Sequence, residues 1–334
     1  MAFGVPAPAL PCFPTPFDKI MQSTRTLICG SLAYDTIMVF PDRFARHILP
    51  EQVHVLSVSF TVGDMRREWG GCAGNIAYNL KALGGEPVVM ATLGDDGAPY
   101  RERLATLGVG ADGLRTVTGT FTAQAFIIND LDDNQITAFH PGAMSRSHEN
   151  QVEAIENIAL GIVAPDGKEG MRRHVTGFAN AGVPFIFDPG QGMPLFSGDD
   201  LVEMIDAATY LAVNDYEGRL LAERTGMSLT EIGRRVEAVV ETLGADGSRI
   251  HVDGKVIEIP AVPPEALVDP TGCGDAYRAG LLYGIVHAWD WERTGRVAAI
   301  LGALKISQRG GQNHAIDRDR VAAIYHRQFG AYAW

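Results

Sequence analysis

Asp269-Pro-Thr-Gly-Cys-Gly-Asp-Ala-Tyr-Arg-Ala-Gly280 decides how this chain is read. Pro270 restricts the backbone, and Gly272 and Gly274 flank Cys273 in a turn where glycine tolerates positive φ. Ala276 to Val286 is a mostly apolar run that predicts a helix. The N–H groups of Gly272, Cys273 and Gly274 then converge at a helix N-terminus, where unpaired donors and the helix dipole make an anion site. Asp275 lies in the same positive field, which is expected to keep its carboxylate ionised and able to accept a proton. A lone Gly-x-Gly-Asp is more commonly a simple helix cap. The full dodecamer is far more specific.

Working outward, a second glycine-rich stretch, Gly70-Gly71-Cys-Ala-Gly74-Asn75, also opens a helix, predicted over Asn75 to Leu83 and stopped by Gly84-Gly85. Bare backbone there admits a ligand closely, and Asn75 offers both a donor and an acceptor. Thr26 to Gly30, Val88 to Ala91, Phe185 to Phe187, Tyr210 to Val213 and Val239-Val240 read as short buried strands. Helical stretches alternate with them, one around Tyr100 to Leu107 and one opened by a Ser228/Glu231 capping box. This rhythm predicts an α/β fold, a doubly wound, mostly parallel sheet flanked by helices.

Two regions break the rhythm. Gln124 to Ile128 and Gln135 to Phe139 predict an antiparallel hairpin about Asn129 to Asn134. The irregular Met38 to Val62 segment holds two β-prone runs, Val53 to Leu56 and Val58 to Val62. Together they predict a small β lid over a ligand crevice, from about 36–64 and 118–140. A further hairpin is expected about Asp253-Gly254. Gly108 to Gly113 spells GxGxxG, but it follows a helix and leads to a strand, the reverse of a dinucleotide fingerprint. No GxxxxGK[ST] occurs in the chain, so nucleotide phosphates would be held another way.

The chain has 334 residues and a formal charge of −12, with 46% hydrophobic and 20% charged residues, an ordinary globular balance. That charge argues against a nucleic-acid partner, and no stretch approaches the roughly 20 apolar residues of a membrane span. Cys12, Cys29, Cys72 and Cys273 are far apart and read as reduced thiols in a soluble, cytoplasmic protein. Residues 1–22 carry five prolines and are expected to form a loose extension, with Met21 an alternative start; residues 23–334 would form the folded domain.

The pair Gly70-Gly-Cys-Ala-Gly-Asn75 and Asp269-Pro-Thr-Gly-Cys-Gly-Asp275 resembles the two signatures of the ribokinase-like (PfkB) family of sugar and nucleoside kinases, in order, spacing and position over roughly residues 24–327. Gly30-Ser-Leu-Ala-Tyr-Asp35, Phe139-His-Pro-Gly-Ala-Met144 and Gly274-Asp-Ala-Tyr-Arg-Ala-Gly280 are most similar to bacterial adenosine kinases. The resemblance implies that Asp35 binds two sugar hydroxyls, with Gly71, Asn75 and Ser31 beside them. It implies Phe126 and Phe139 as aromatic walls stacking on a base, and Gln191 as a hydrogen-bond partner of the base edge. Asn214-Asp-Tyr-Glu217 resembles a motif that steadies magnesium-bound phosphates, Glu217 acting through water on Mg2+. Asn214, Thr242, Gly244 and Gly247 would hold ATP. A monovalent cation such as K+ is implied near Asp269 and the Gly310-Gly311 turn. The family usually has Ala where Cys273 stands; the helix N-terminus would make this thiol reactive, or burial would leave it inert.

The implied reaction is ATP-dependent phosphorylation of the 5′-hydroxyl of adenosine, with Asp275 as base and the Gly272–Gly274 amides as anion hole, serving purine salvage. The alternatives are a sugar kinase acting on ribose, fructose or a related substrate, or another purine nucleoside kinase. Adenosine and ATP are the expected partners, in a monomer or in a homodimer joined through the lid.

Overall fold

A computed structural model describes residues 23–48, 57–132 and 134–334. The apolar run at Thr26 becomes β1 (Arg25–Cys29), followed by β2 (Ala33–Val39), β3 (Asp64–Gly70), α1 (Cys72–Ala82), β4 (Glu86–Leu93), α2 (Ala98–Thr106) and β5 (Gly110–Thr116). The predicted hairpin is β6 (Ala123–Asn129) and β7 (Gln135–His140). Next come β8 (Leu160–Val163), α3 (Lys168–Ala181), β9 (Phe185–Phe187), α4 (Gly198–Ala207), β10 (Tyr210–Asn214), α5 (Asp215–Thr225) and the one-turn α6 (Leu229–Ile232). The chain continues through β11 (Ala238–Thr242), β12 (Ser248–Val252), β13 (Lys255–Ile259), α7 (Cys273–Val286), α8 (Trp291–Ile306) and α9 (Arg318–Phe329).

The main sheet has nine strands in the order β13-β12-β11-β10-β9-β8-β1-β4-β5. Among the described residues its only antiparallel pairings are those of β12 with β11 and with β13, at the edge formed by the Asp253-Gly254 hairpin. From β1 the chain winds outward to β5, then returns on the other side of β1 through β8 to β11. Strand order therefore reverses between β1 and β8, and in such sheets ligands sit beyond the carboxyl ends of the strands at that switch. Ser31, Asp188, Asn214 and Leu243 lie at or just past those ends. The two faces of the sheet bury separate cores, one against α1, α2, α7, α8 and α9, the other against α3 to α6. Each fully buried Leu, Ile or Phe contributes about 1.5–3 kcal/mol.

A second sheet, ordered β3-β2-β6-β7, forms the lid. Here the sequence reading needs correction. Val53 to Leu56 fall outside the described residues, and Val58 to Val62 form no strand. Phe60 instead packs its ring on Phe40 and Phe44, at centroid distances of 4.8 and 5.1 Å, so its apolar character serves packing without a ladder. The strands are β2 and β3, paired antiparallel with Asp35 opposite Glu68, while β2 runs parallel to β6. Two helices start earlier than expected, at Cys72 and Cys273, so each glycine-rich turn contributes its last residues to a first helical turn.

Candidate functional site

Gly272 caps α7 with φ +78°, a left-handed conformation that a side chain would strain. Asp269 organises the turn before it. Its Oδ1 accepts the Thr271 N–H at 2.9 Å and its Oδ2 the Gly310 N–H at 2.8 Å. The main chain of Val268 and Asp269 docks on α8, both N–H groups donating to the Ile306 carbonyl. The expected three-amide anion hole is smaller in this state, because the Cys273 N–H donates to the Pro270 carbonyl at 3.2 Å. Gly272 and Gly274 supply the remaining amides. The Cys273 thiol is not activated: burial pushes it up to about 11, with the carboxylates of Asp269 and Asp275 adding to the rise and Lys305 opposing it. That shift favours the inert alternative.

Asp275 is the third residue of α7, where an acid commonly folds back to cap its own helix. It makes no such cap. Its Oδ2 instead accepts Asn75 Nδ2 at 2.8 Å, joining the N-termini of α7 and α1. Asn75 is buried and held from its other side by Gln312, whose Nε2 donates to Asn75 Oδ1 at 3.3 Å and to the Tyr100 hydroxyl at 2.8 Å. The helix field, expected to keep the Asp275 carboxylate ionised, is opposed by burial. Burial outweighs it and pushes the carboxyl up to about 6; Asp188 raises it further, while Asn75 and Arg278 pull it down. At neutral pH most of it is still ionised.

At the start of α1, Gly71 takes φ +86°, and a Cβ there would meet the Ser31 carbonyl at 2.5 Å. Ser31 receives that helix start: its Oγ accepts the Cys72 N–H and its carbonyl the Ala73 N–H. Two residues past Ala33, Asp35 projects from β2 toward this junction. A Cβ on Gly70 would lie 2.3 Å from its Oδ2, so the glycine makes room for the carboxylate. Burial first, then Glu68 and Asp269, push Asp35 up to about 6. The lid also touches the turn between α8 and α9, through Asn313 Nδ2 donating to Glu68 Oε2 at 2.7 Å.

The two aromatic residues do not form facing walls. Strand register puts Phe139 opposite Ala125, which pairs with Asp35, so Phe139 shares the face of Asp35. Phe126 pairs with Ala138 and Thr36 and points to the other face. Both rings are exposed. Gln191 is exposed on a short 3-10 turn after β9.

On the far side of the crevice, Asn214 and Glu217 form a capping box for α5: Asn214 Oδ1 accepts the Glu217 N–H at 2.7 Å and Glu217 Oε2 accepts the Asn214 N–H at 2.8 Å. Burial raises the Glu217 carboxyl from its usual value. Thr242 ends β11, and the turn after it uses Gly244 at φ +59° and Gly247 at φ +88°. Among the described residues no three His, Cys, Asp or Glu side chains gather to hold a metal. Such a donor set builds no cage; Glu217 would suit only a Mg2+ that arrives on bound phosphates and keeps its waters.

Three structural residues escaped the sequence reading. Arg278, buried within α7, makes a two-pronged pair with buried Asp188 at 3.1 Å on each arm, and its guanidinium is 3.9 Å from Glu217. Gln312 positions Asn75. Lys305, fully buried in the last turn of α8, donates to the carbonyls of Asp269 at 2.7 Å and Gln308 at 3.0 Å. A charge set amid apolar helix positions was the available signal for Arg278 and Lys305.

The described residues contain no helix long and apolar enough to cross a membrane. A structure of Burkholderia thailandensis nucleoside kinase in complex with inosine superposes with a TM-score of 0.84 at 51% identity, covering 92% of this chain and 99% of that one. The same enzyme is also solved with ADP and inosine. The nucleoside kinase of Methanothermobacter thermautotrophicus is 31% identical over 93% of this chain and 98% of its own length, and that of Methanocaldococcus jannaschii 30% identical over 79% and 88%. With the pfkB family carbohydrate kinase profile matching residues 32–318 as well, the chain belongs to the pfkB family of carbohydrate kinases.

Proposed function

We propose that this protein is an ATP-dependent nucleoside kinase that phosphorylates the 5′-hydroxyl of a purine nucleoside, adenosine being converted to AMP with release of ADP. One observation carries this reading. The Asp275 carboxylate stands at the open amide terminus of α7, forgoes the capping role its position offers, and is fixed instead by Asn75. Asp275 Oδ would take the 5′-hydroxyl proton as that oxygen bonds to the γ-phosphorus and the bond to the β–γ bridging oxygen breaks. The proton then leaves to solvent. The Gly272 and Gly274 amides, with the α7 dipole, stabilise charge on the transferring group at no cost of reorganisation. Mg2+ bound with ATP would neutralise charge on the β- and γ-phosphates. Asp35, seated against Gly70, would orient the ribose hydroxyls, and Phe139 would cover the base from the lid.

The relative solved with inosine supports the nucleoside class and makes inosine a competing substrate. Coupled ADP release across adenosine, inosine, guanosine, ribose and fructose decides among these readings. Asp275→Asn is expected to cut kcat by at least about 100-fold while leaving nucleoside binding nearly intact. Near-normal turnover in that variant, or turnover of free sugars alone, would overturn the assignment.

A further inference from the structure

Lysine is almost never fully buried unless paired, and Lys305 has no carboxylate within 4 Å of its ammonium among the described residues. It is satisfied by main-chain carbonyls alone: Asp269 at 2.7 Å and Gln308 at 3.0 Å. A lysine in a last helical turn ordinarily serves its own helix end, exposed to water. This one reaches across to the first residue of the phosphate loop. The Gln308 carbonyl belongs to the turn whose Gly310 amide binds the Asp269 carboxylate. The ammonium therefore ties together both ends of the clamp that sets the loop entering α7. Burial lowers the proton affinity of Lys305, while the charges of Asp269 and Asp275 hold the proton on.

Carbonyl oxygens gathered around a dehydrated monovalent cation are how proteins bind K+. The sequence resemblance implies such a cation near Asp269 and the Gly310-Gly311 turn. The residues here do not suit one, because an ammonium already occupies that place, taken up by the Asp269 and Gln308 carbonyls.

We propose that Lys305 is a built-in monovalent cation, a positioning residue that shapes the phosphate loop and frees this kinase from any need for K+. The proposal rests on the kinase reading of the site. It places the cationic contribution on the chain itself, so loop geometry is independent of the salt around the protein.

The test compares wild type with Lys305→Met, which keeps the apolar stem and removes the charge, and with Lys305→Gln as a second variant. Activity is read in tetramethylammonium, Li+, K+ and NH4+ chlorides. Wild type is expected to turn over equally in all four. The variants are expected to fall by about 10- to 100-fold in tetramethylammonium, the cost of a loop displaced by about 1 Å, and to recover in K+ or NH4+ but not Li+. Thermal unfolding without substrate supplies a separate readout: K+ should raise the melting temperature of Lys305→Met and leave wild type unchanged. That readout is independent of turnover, so failure of the kinase reading would not be mistaken for failure of this one. A K+ requirement in wild type overturns the proposal. So does a variant that is fully active, or whose loss K+ and NH4+ cannot restore and whose melting temperature they do not move.

Discussion

Asn75→Ala isolates how the site sets the proton affinity of its base. The substitution removes the 2.8 Å hydrogen bond that Asp275 Oδ2 accepts from Asn75, a bond that favours the ionised carboxylate. Hydrogen bonds to charged groups contribute about 1.5–3 kcal/mol, and one pKa unit corresponds to about 1.4 kcal/mol. Asp275, at about 6 in the intact site, is therefore expected to rise by about one to two units. At pH 7 its ionised fraction would drop from about nine-tenths to between about a half and a tenth, a loss of about two- to tenfold in kcat/KM from ionisation alone. Asn75 also stands where a sugar would bind, and that contribution lowers kcat/KM equally at every pH. The pH profile separates the two. In wild type, Asp35 and Asp275 both titrate near 6, so below that pH log kcat/KM should descend with a slope approaching two. In the variant only Asp275 moves, and a segment of slope one should open above pH 6. The assay is kcat/KM for the nucleoside from pH 5 to 9 at low ATP. A uniform drop with the acid limb unmoved would refute the idea that Asn75 tunes Asp275.

Gly70→Ala places a Cβ 2.3 Å from Asp35 Oδ2 and 2.7 Å from its Cγ; displacing the carboxylate is expected to raise the nucleoside KM by about tenfold or more, with a smaller change in kcat, read by steady-state kinetics. Asp188→Asn leaves the buried Arg278 guanidinium with no described carboxylate closer than Glu217 at 3.9 Å, and should lower unfolding free energy by about 3 kcal/mol in denaturant titration, the low end for a broken buried pair. Phe139→Ala should weaken nucleoside binding, by about 1 kcal/mol or more of lost stacking, whereas Phe126→Ala, on the opposite face of the lid, should not; equal effects in a binding titration would contradict the strand register.

Most of the main sheet is legible in sequence because its strands are short continuous apolar runs closed by glycine or polar residues, a pattern that burial on both faces enforces. Both glycine-rich turns that open helices are legible for a related reason: what they need is local, a backbone free to adopt positive φ at Gly71 and Gly272. The lid is different. Asp64-Met-Arg-Arg-Glu-Trp-Gly70 is too charged to read as a strand, and it becomes one through its ladder with β2, which sets Glu68 beside Asp35. Val58 to Val62 looks like a strand because Phe60 fills an aromatic cluster, which needs hydrophobicity but no pairing. Asn214-Asp-Tyr-Glu217 is legible as a motif, yet its first physical duty is to cap a helix, and sequence cannot separate that duty from a phosphate-side role. The Asn75–Asp275 and Asp188–Arg278 contacts join residues 200 and 90 positions apart, beyond the reach of any local pattern.

A remaining question is how a chain of net charge −12 offers a triphosphate a favourable berth beside so many acids. The geometry answers it acid by acid. Asp188 is neutralised by Arg278, Asp269 by two backbone amides with the Lys305 ammonium near, and Glu217 by the amide it caps. Asp35 and Asp275 are held near 6 by burial, so their negative charge is the least firmly kept of the set. What remains to meet an anion is the amide end of α7, backed by buried cations rather than by a basic surface. Exposed charges are screened beyond about 8–10 Å at ordinary ionic strength, while dipoles and buried charges at contact distance are screened far less. The KM for ATP is thus expected to change by less than about threefold between roughly 50 and 200 mM tetramethylammonium chloride. A steep rise across that range would mean that exposed Lys and Arg side chains, not the helix terminus, carry the nucleotide.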